Sequence, residues 1–189
     1  MRHKLPLLRS AMVTGLLLAF ASVSWAQTET FTATASLKTA TGATMTAPVT
    51  VVVTRHTSDQ ERTSVMDALK KSGTSGVVQS LKGMADAGYI EIGDRRTPIK
   101  YAFVRPTDGG RLITVVAPTP ILHVGAGVPD AQPKAGFDLA LAALDVKTAG
   151  AGSGELAPAA TVKVNDAGAL QTQDYGAETI RLTNIQVKK

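Results

Sequence analysis

The chain has 189 residues, 44% hydrophobic and 19% charged, with 20 Lys and Arg against 15 Asp and Glu and no cysteine. That length holds a core by burial alone, and the composition excludes disulfides and a lipid-modified N-terminal Cys. No run of adjacent basic residues exceeds two, and Lys70-Lys71, Arg95-Arg96 and Lys188-Lys189 stand far apart, so no nucleic-acid or anionic-membrane footprint is expected.

In chain order, the first element is a leader. Arg2, Lys4 and Arg9 precede an apolar stretch from Ala11 to Ala21, and Ser24-Trp25-Ala26 puts small residues where a signal peptidase reads. A signal peptide over 1–26 is expected, cut between Ala26 and Gln27, and the stretch is too short for a membrane span. No arginine pair precedes it, which favours the general secretion route. The remaining 163 residues carry 17 Lys and Arg against 15 Asp and Glu, a net charge of +2. They are expected to form one β-rich domain over 28–189, periplasmic or secreted, monomeric and free of the membrane. The only later apolar stretch, Leu112 to Val128, is cut by Pro118, Pro120, Gly125 and Gly127.

Strand-like alternation follows. Phe31, Ala33, Ala35 and Leu37 share one side of an extended segment, and Val49, Val51 and Val53 repeat the pattern, so the turn signal Thr39-Ala40-Thr41-Gly42 predicts a hairpin. The period then changes. Ser58-Asp59-Gln60-Glu61 has capping-box spacing, and Val65, Met66 and Leu69 make an apolar stripe that Gly73 ends. Val77, Val78, Leu81 and Met84 make a second stripe, so the two segments predict a helical hairpin lying on a sheet face or plugging a barrel end.

Strands resume at Tyr89–Ile92 and at Ile99, Tyr101 and Phe103. A turn at Thr107-Asp108-Gly109-Gly110 leads to the partner strand Leu112–Ala117. Residues 118–136, with four prolines and three glycines, predict a long irregular loop. Phe137, Leu139 and Leu141 begin a strand whose phase shifts before Leu144 and Val146, which predicts a bulge at Ala142-Ala143. Thr148–Gly154 predicts a turn, and Ala160, Val162 and Val164 another strand. A short strand near Leu170 precedes a last one near 179–187, whose phase switches between Leu182 and Ile185. The expected fold is α+β and mainly β: an antiparallel meander of about eight strands, a sandwich or partly closed barrel, with one inserted short helical hairpin.

The residues that carry chemistry are scattered. His56 and His123 have no neighbouring His or Cys at ligand spacing, so no metal site is expected. Gly125-Ala126-Gly127 lacks the third glycine of a dinucleotide loop, and Gly150–Gly154 lacks the spacing of a nucleophile elbow. Glu91, Asp94, Asp108, Asp138, Asp145, Glu155, Asp174 and Glu178 leave a glycosidase-like carboxylate pair open, although solvated acids explain them. Arg95, Arg96, Lys100, Arg105 and Arg111 fall on neighbouring strand ends, where they make an anion site or protect a sheet edge.

Several short patterns run through the chain: Ala68-Leu69-Lys70 with Gly73; Leu81, Met84 and Gly88-Tyr89-Ile90; Ile99-Lys100-Tyr101-Ala102; Gly109-Gly110-Arg111; Pro120-Ile121; Gly152, Gly154 and Leu156; Asp174-Tyr175-Gly176; and Arg181-Leu182-Thr183. Together they resemble a family of small exported bacterial domains with no assigned activity. The resemblance implies export and one β-rich domain, and it carries over no catalytic residue.

The expected function is a non-enzymatic exported domain, without cofactor, that binds an extracytoplasmic protein or a small ligand. The candidate surface is the 118–136 loop, with His123, Tyr101 and Arg111 as binding residues and no catalytic residue. Two rivals stand beside it. One is a carrier of small hydrophobic ligands inside a barrel, and the other is a hydrolase using His123 or a carboxylate pair.

Overall fold

The computed structural model describes residues 28–38, 44–122, 135–164, 170–174 and 180–188. The leader, His123, most of the 118–136 loop and the turn at 39–43 lie outside the described residues. In chain order the elements are β1 (Glu29–Lys38), β2 (Thr44–Val53), α1 (Asp59–Lys82), β3 (Gly88–Ile92), β4 (Arg95–Ile99), β5 (Tyr101–Thr107), β6 (Gly110–Ala117), β7 (Leu139–Lys147), β8 (Gly152–Val164), β9 (Leu170–Asp174) and β10 (Ile180–Lys188).

All strands join one antiparallel sheet in the order β4-β3-β2-β1-β10-β8-β7-β6-β5, with β9 also beside β8. The two ends of that order, β4 and β5, are consecutive in the chain with only Lys100 between them. The sheet therefore curls into a nearly closed barrel that meets itself along one bent strand. Lys100 N donates to Val116 O at 3.0 Å across that bend, and Ala87 N donates to Ile99 O at 2.8 Å. Thr57 N donates to Ala102 O at 2.7 Å while its Oγ1 accepts from Ala102 N at 2.9 Å. One buried threonine thus serves both backbone groups of Ala102 on the side of β5 that no strand covers.

The interior is filled from β1 to β8 and from β10. Phe31, Val51, Ile90, Ile113, Leu144, Leu156 and Leu182 belong to one cluster, each 2% exposed or less. The alternations in Phe31–Leu37 and Val49–Val53 are its inward faces. In β10 the predicted phase switch occurs. Asn184 takes φ 54, the register against β8 shifts between Leu182 and Ile185, and Ile185 is buried on the inner side while Val187 is left 43% exposed.

A second apolar layer lies outside the barrel. Val65, Leu69, Val77, Val78 and Leu81 of α1 cluster with Val116, Leu139, Ala157, Ala160 and Val162 of β6, β7 and β8. The helix starts as its spacing predicts: Ser58 Oγ accepts from Glu61 N at 3.2 Å, and Glu61 Oε2 accepts from Ser58 N at 2.8 Å. Those bonds and the Arg55 guanidinium hold the Glu61 carboxyl below the ordinary glutamate value.

Four expectations are corrected here. The helical insert is one bent helix on the sheet's outer face, not a hairpin. Only Gly73 leaves helical geometry, at φ 61 and ψ −148, and one residue redirects a chain without supplying the loop a reversal needs. The predicted bulge at Ala142-Ala143 is absent, since β7 pairs with β6 without a break from Ala140 to Lys147. The parity change has another cause: Leu139 and Leu141 face α1, whereas Ala142, Leu144 and Val146 face the interior. The irregularity lies in β8, where Leu139 pairs with Ala160 but Leu141 with Ala157. Gly152 and Gly154, expected in a turn, sit inside β8, where a Cβ would meet Asp145 O at 2.2 Å and Ala143 O at 2.3 Å. Finally, β4 begins at Arg95, a strand that the sequence pattern did not mark.

Candidate apolar groove

The three residues singled out in the sequence do not meet. His123 lies outside the described residues. Tyr101 pairs with Val116 and Arg111 with Pro106, so they stand about five residues, roughly 17 Å, apart along the β5–β6 ladder. They also face opposite ways. Arg111 shares the inward parity of Ile113 and reaches the barrel mouth. There it grips Glu29 with two hydrogen bonds, of 2.6 and 3.2 Å, and its Cζ lies 5.7 Å from the Phe31 ring centre. His56 Nε2 sits 3.3 Å from the same carboxylate. This cluster closes an end of the barrel, and a planar bidentate pair over an aromatic ring suits that task.

The basic residues considered for an anion site are divided in the same way. Arg96 is bound to Glu91 and stacked on Tyr89, and Lys100 pairs with Asp86 at 2.7 Å. Of the acids, Asp145 pairs with Lys147 at 2.5 Å. Among the described residues no group of three His, Cys, Asp or Glu is placed to hold a metal ion, and no helix is long and apolar enough to cross a membrane.

Tyr101 belongs to a different feature. Between the concave side of α1 and the outer face of β5–β8 lies a part-open groove of about 260 Å³. Val65, Met66, Leu69, Val77 and Leu81 of the helix form its roof, and Val116, Leu139, Leu141, Ala143 and Val162 form its floor. The polar side chains of its lining are Tyr101, Thr114 and Thr172. Burial raises the Tyr101 phenol above the ordinary tyrosine value, with a smaller opposing pull from Arg62.

Local structure explains why the space is there. Beyond Gly73 the helix is pinned by Thr74, whose buried Oγ1 accepts from Val162 N at 2.8 Å and lies 3.0 Å from Val162 O and 2.6 Å from Thr161 Oγ1. Before the bend, Arg55 anchors Glu61 and the Ala85 carbonyl, the latter at 2.8 Å. With both halves tethered, α1 spans the sheet as a bridge, and the side chains beneath it leave a gap. The sequence signal for the floor was the two-sided apolar pattern Leu139-Ala140-Leu141-Ala142, which also fits a strand with a slipped phase. No family model, curated protein or solved structure matches the chain.

Proposed function

We propose that this protein is an exported, non-enzymatic domain that binds a small apolar ligand in the groove between α1 and β5–β8. The supporting observation is the groove itself. It offers about 260 Å³, against the roughly 150 Å³ cavity that suffices for benzene. Its lining is almost wholly aliphatic, with a few hydroxyls able to orient a guest. The earlier expectation of a carrier is kept, but the ligand's place moves from the barrel interior, which side chains fill, to the outside.

The test is calorimetric titration of the leaderless protein with decanol, a neutral alkyl probe, beside the Ala143→Trp variant, which places an indole at the half-buried end of the floor. Saturable decanol binding that the variant loses, at an unchanged thermal transition, supports the reading. Absence of binding to the unsubstituted protein, or equal binding by both, overturns it.

A further inference from the structure

We infer that the guest of this groove is a single-chain amphiphile with an anionic head, its alkyl chain under α1 and its head at Arg62. The inference rests on the groove reading above and adds the chemical class of the ligand.

The placement comes first. Arg62 stands one helical turn before Val65 and Met66, the first residues of the roof, so its charge lies at the rim. Its Cζ is 5.1 Å from the Phe103 ring centre, and Phe103 lies 6.4 Å, centre to centre, from the groove residue Tyr101. Thr114, also in the lining, pairs with Phe103 across the ladder. A cation, an aromatic shelf and two hydroxyls therefore gather at one end of an otherwise aliphatic space.

Arg55 and Lys100, which bracket this end through Glu61 and next to Tyr101, are held by Glu61 and Asp86. Among the described residues the only acid at Arg62 is Asp59, 3.6 Å from Nε, too far for a hydrogen bond, and Asp59 is 88% exposed. Nε itself is buried without a hydrogen-bond partner among those residues, yet the side chain as a whole is 43% exposed. A guanidinium with five donors and a loosely held counter-ion is suited to take a carboxylate or similar anion in bidentate fashion. Asp59 competes for it, but a solvated acid gives way at little cost.

The groove's volume limits the guest's size. Scaled from benzene, 260 Å³ accommodates an alkyl chain on the order of ten carbons, one chain and not two.

The experiment compares decanoate with decanol at neutral pH on the leaderless protein and on Arg62→Met and Arg62→Lys, each checked by thermal unfolding. A charge-assisted hydrogen bond at the rim predicts a preference for decanoate of roughly tenfold or more in the unsubstituted protein. Arg62→Met should lose that preference while still binding decanol, and Arg62→Lys should keep part of it. Equal affinity for the two probes, or a preference that survives Arg62→Met, overturns the anionic head and leaves the groove standing. Binding of neither probe overturns both.

Discussion

Two buried threonines hydrogen-bond backbone groups on uncovered sides of the sheet. Thr57 and Thr74 are buried, and each offers one hydroxyl to the N–H of a strand residue that lacks a strand neighbour on that side. A hydroxyl can donate and accept at once, so Thr74 serves both backbone groups of Val162. Valine has the same shape without the hydroxyl. Thr74→Val should therefore cost about 1–3 kcal/mol, the desolvation penalty of stranded backbone groups, and Thr74→Ser should recover most of it. Urea unfolding of the three proteins measures this. A valine variant as stable as the parent would mean that the Val162 groups find water instead.

At the scale of the element, α1 depends on two glycines for different reasons. Gly73 supplies a backbone conformation that residues with a side chain rarely adopt, and nothing lies within 4 Å of where its Cβ would be. Gly76 supplies room, since a Cβ there would meet Ala68 O at 2.4 Å. Gly73→Ala should thus cost about 1–3 kcal/mol through backbone strain alone. If the helix instead straightens to relieve the strain, its second half lifts from β8 and the Thr74 bonds break. Hydrogen exchange distinguishes the cases, because only straightening speeds exchange of the Val162 amide. An unchanged stability with normal protection would show that the bend is not needed.

Across the whole molecule, two apolar layers share the same strands. Along β7 the inward Ala142 and Leu144 belong to the barrel core, and the outward Leu139 and Leu141 belong to the helix-covered cluster. Loss of packing on one side must therefore be felt on the other. Leu144, fully buried, belongs to the barrel core and not to the helix-covered cluster. Leu144→Ala should cost about 2–5 kcal/mol and lower the helical and sheet transitions together, as one cooperative unit does. Circular dichroism at the helix band, beside amide exchange of strand residues, follows both. A helix that melts at its original temperature in this variant would show that α1 is an independent appendage.

Local patterns in the chain were sufficient for whatever depends on near neighbours. The β1–β2 pairing, the Thr107–Gly110 turn, the Ser58–Glu61 cap, the break at Gly73, the inward alternation of β1 and β2 and the phase switch at Leu182–Ile185 were legible, because dihedral preference and side-chain parity act over a few residues. What escaped was set at long range. The shift of parity along β7 reads identically for a bulge and for a strand buried on both faces, and only the arrival of α1 on the outer side decides between them. Arg111 and Tyr101, ten residues apart and taken as one surface, were separated by the pleat and by barrel closure onto opposite faces. The groove is the extreme case, for it is a space between elements. No single residue encodes it, and it exists only because Thr74 and Arg55 hold a bent helix across a curved sheet.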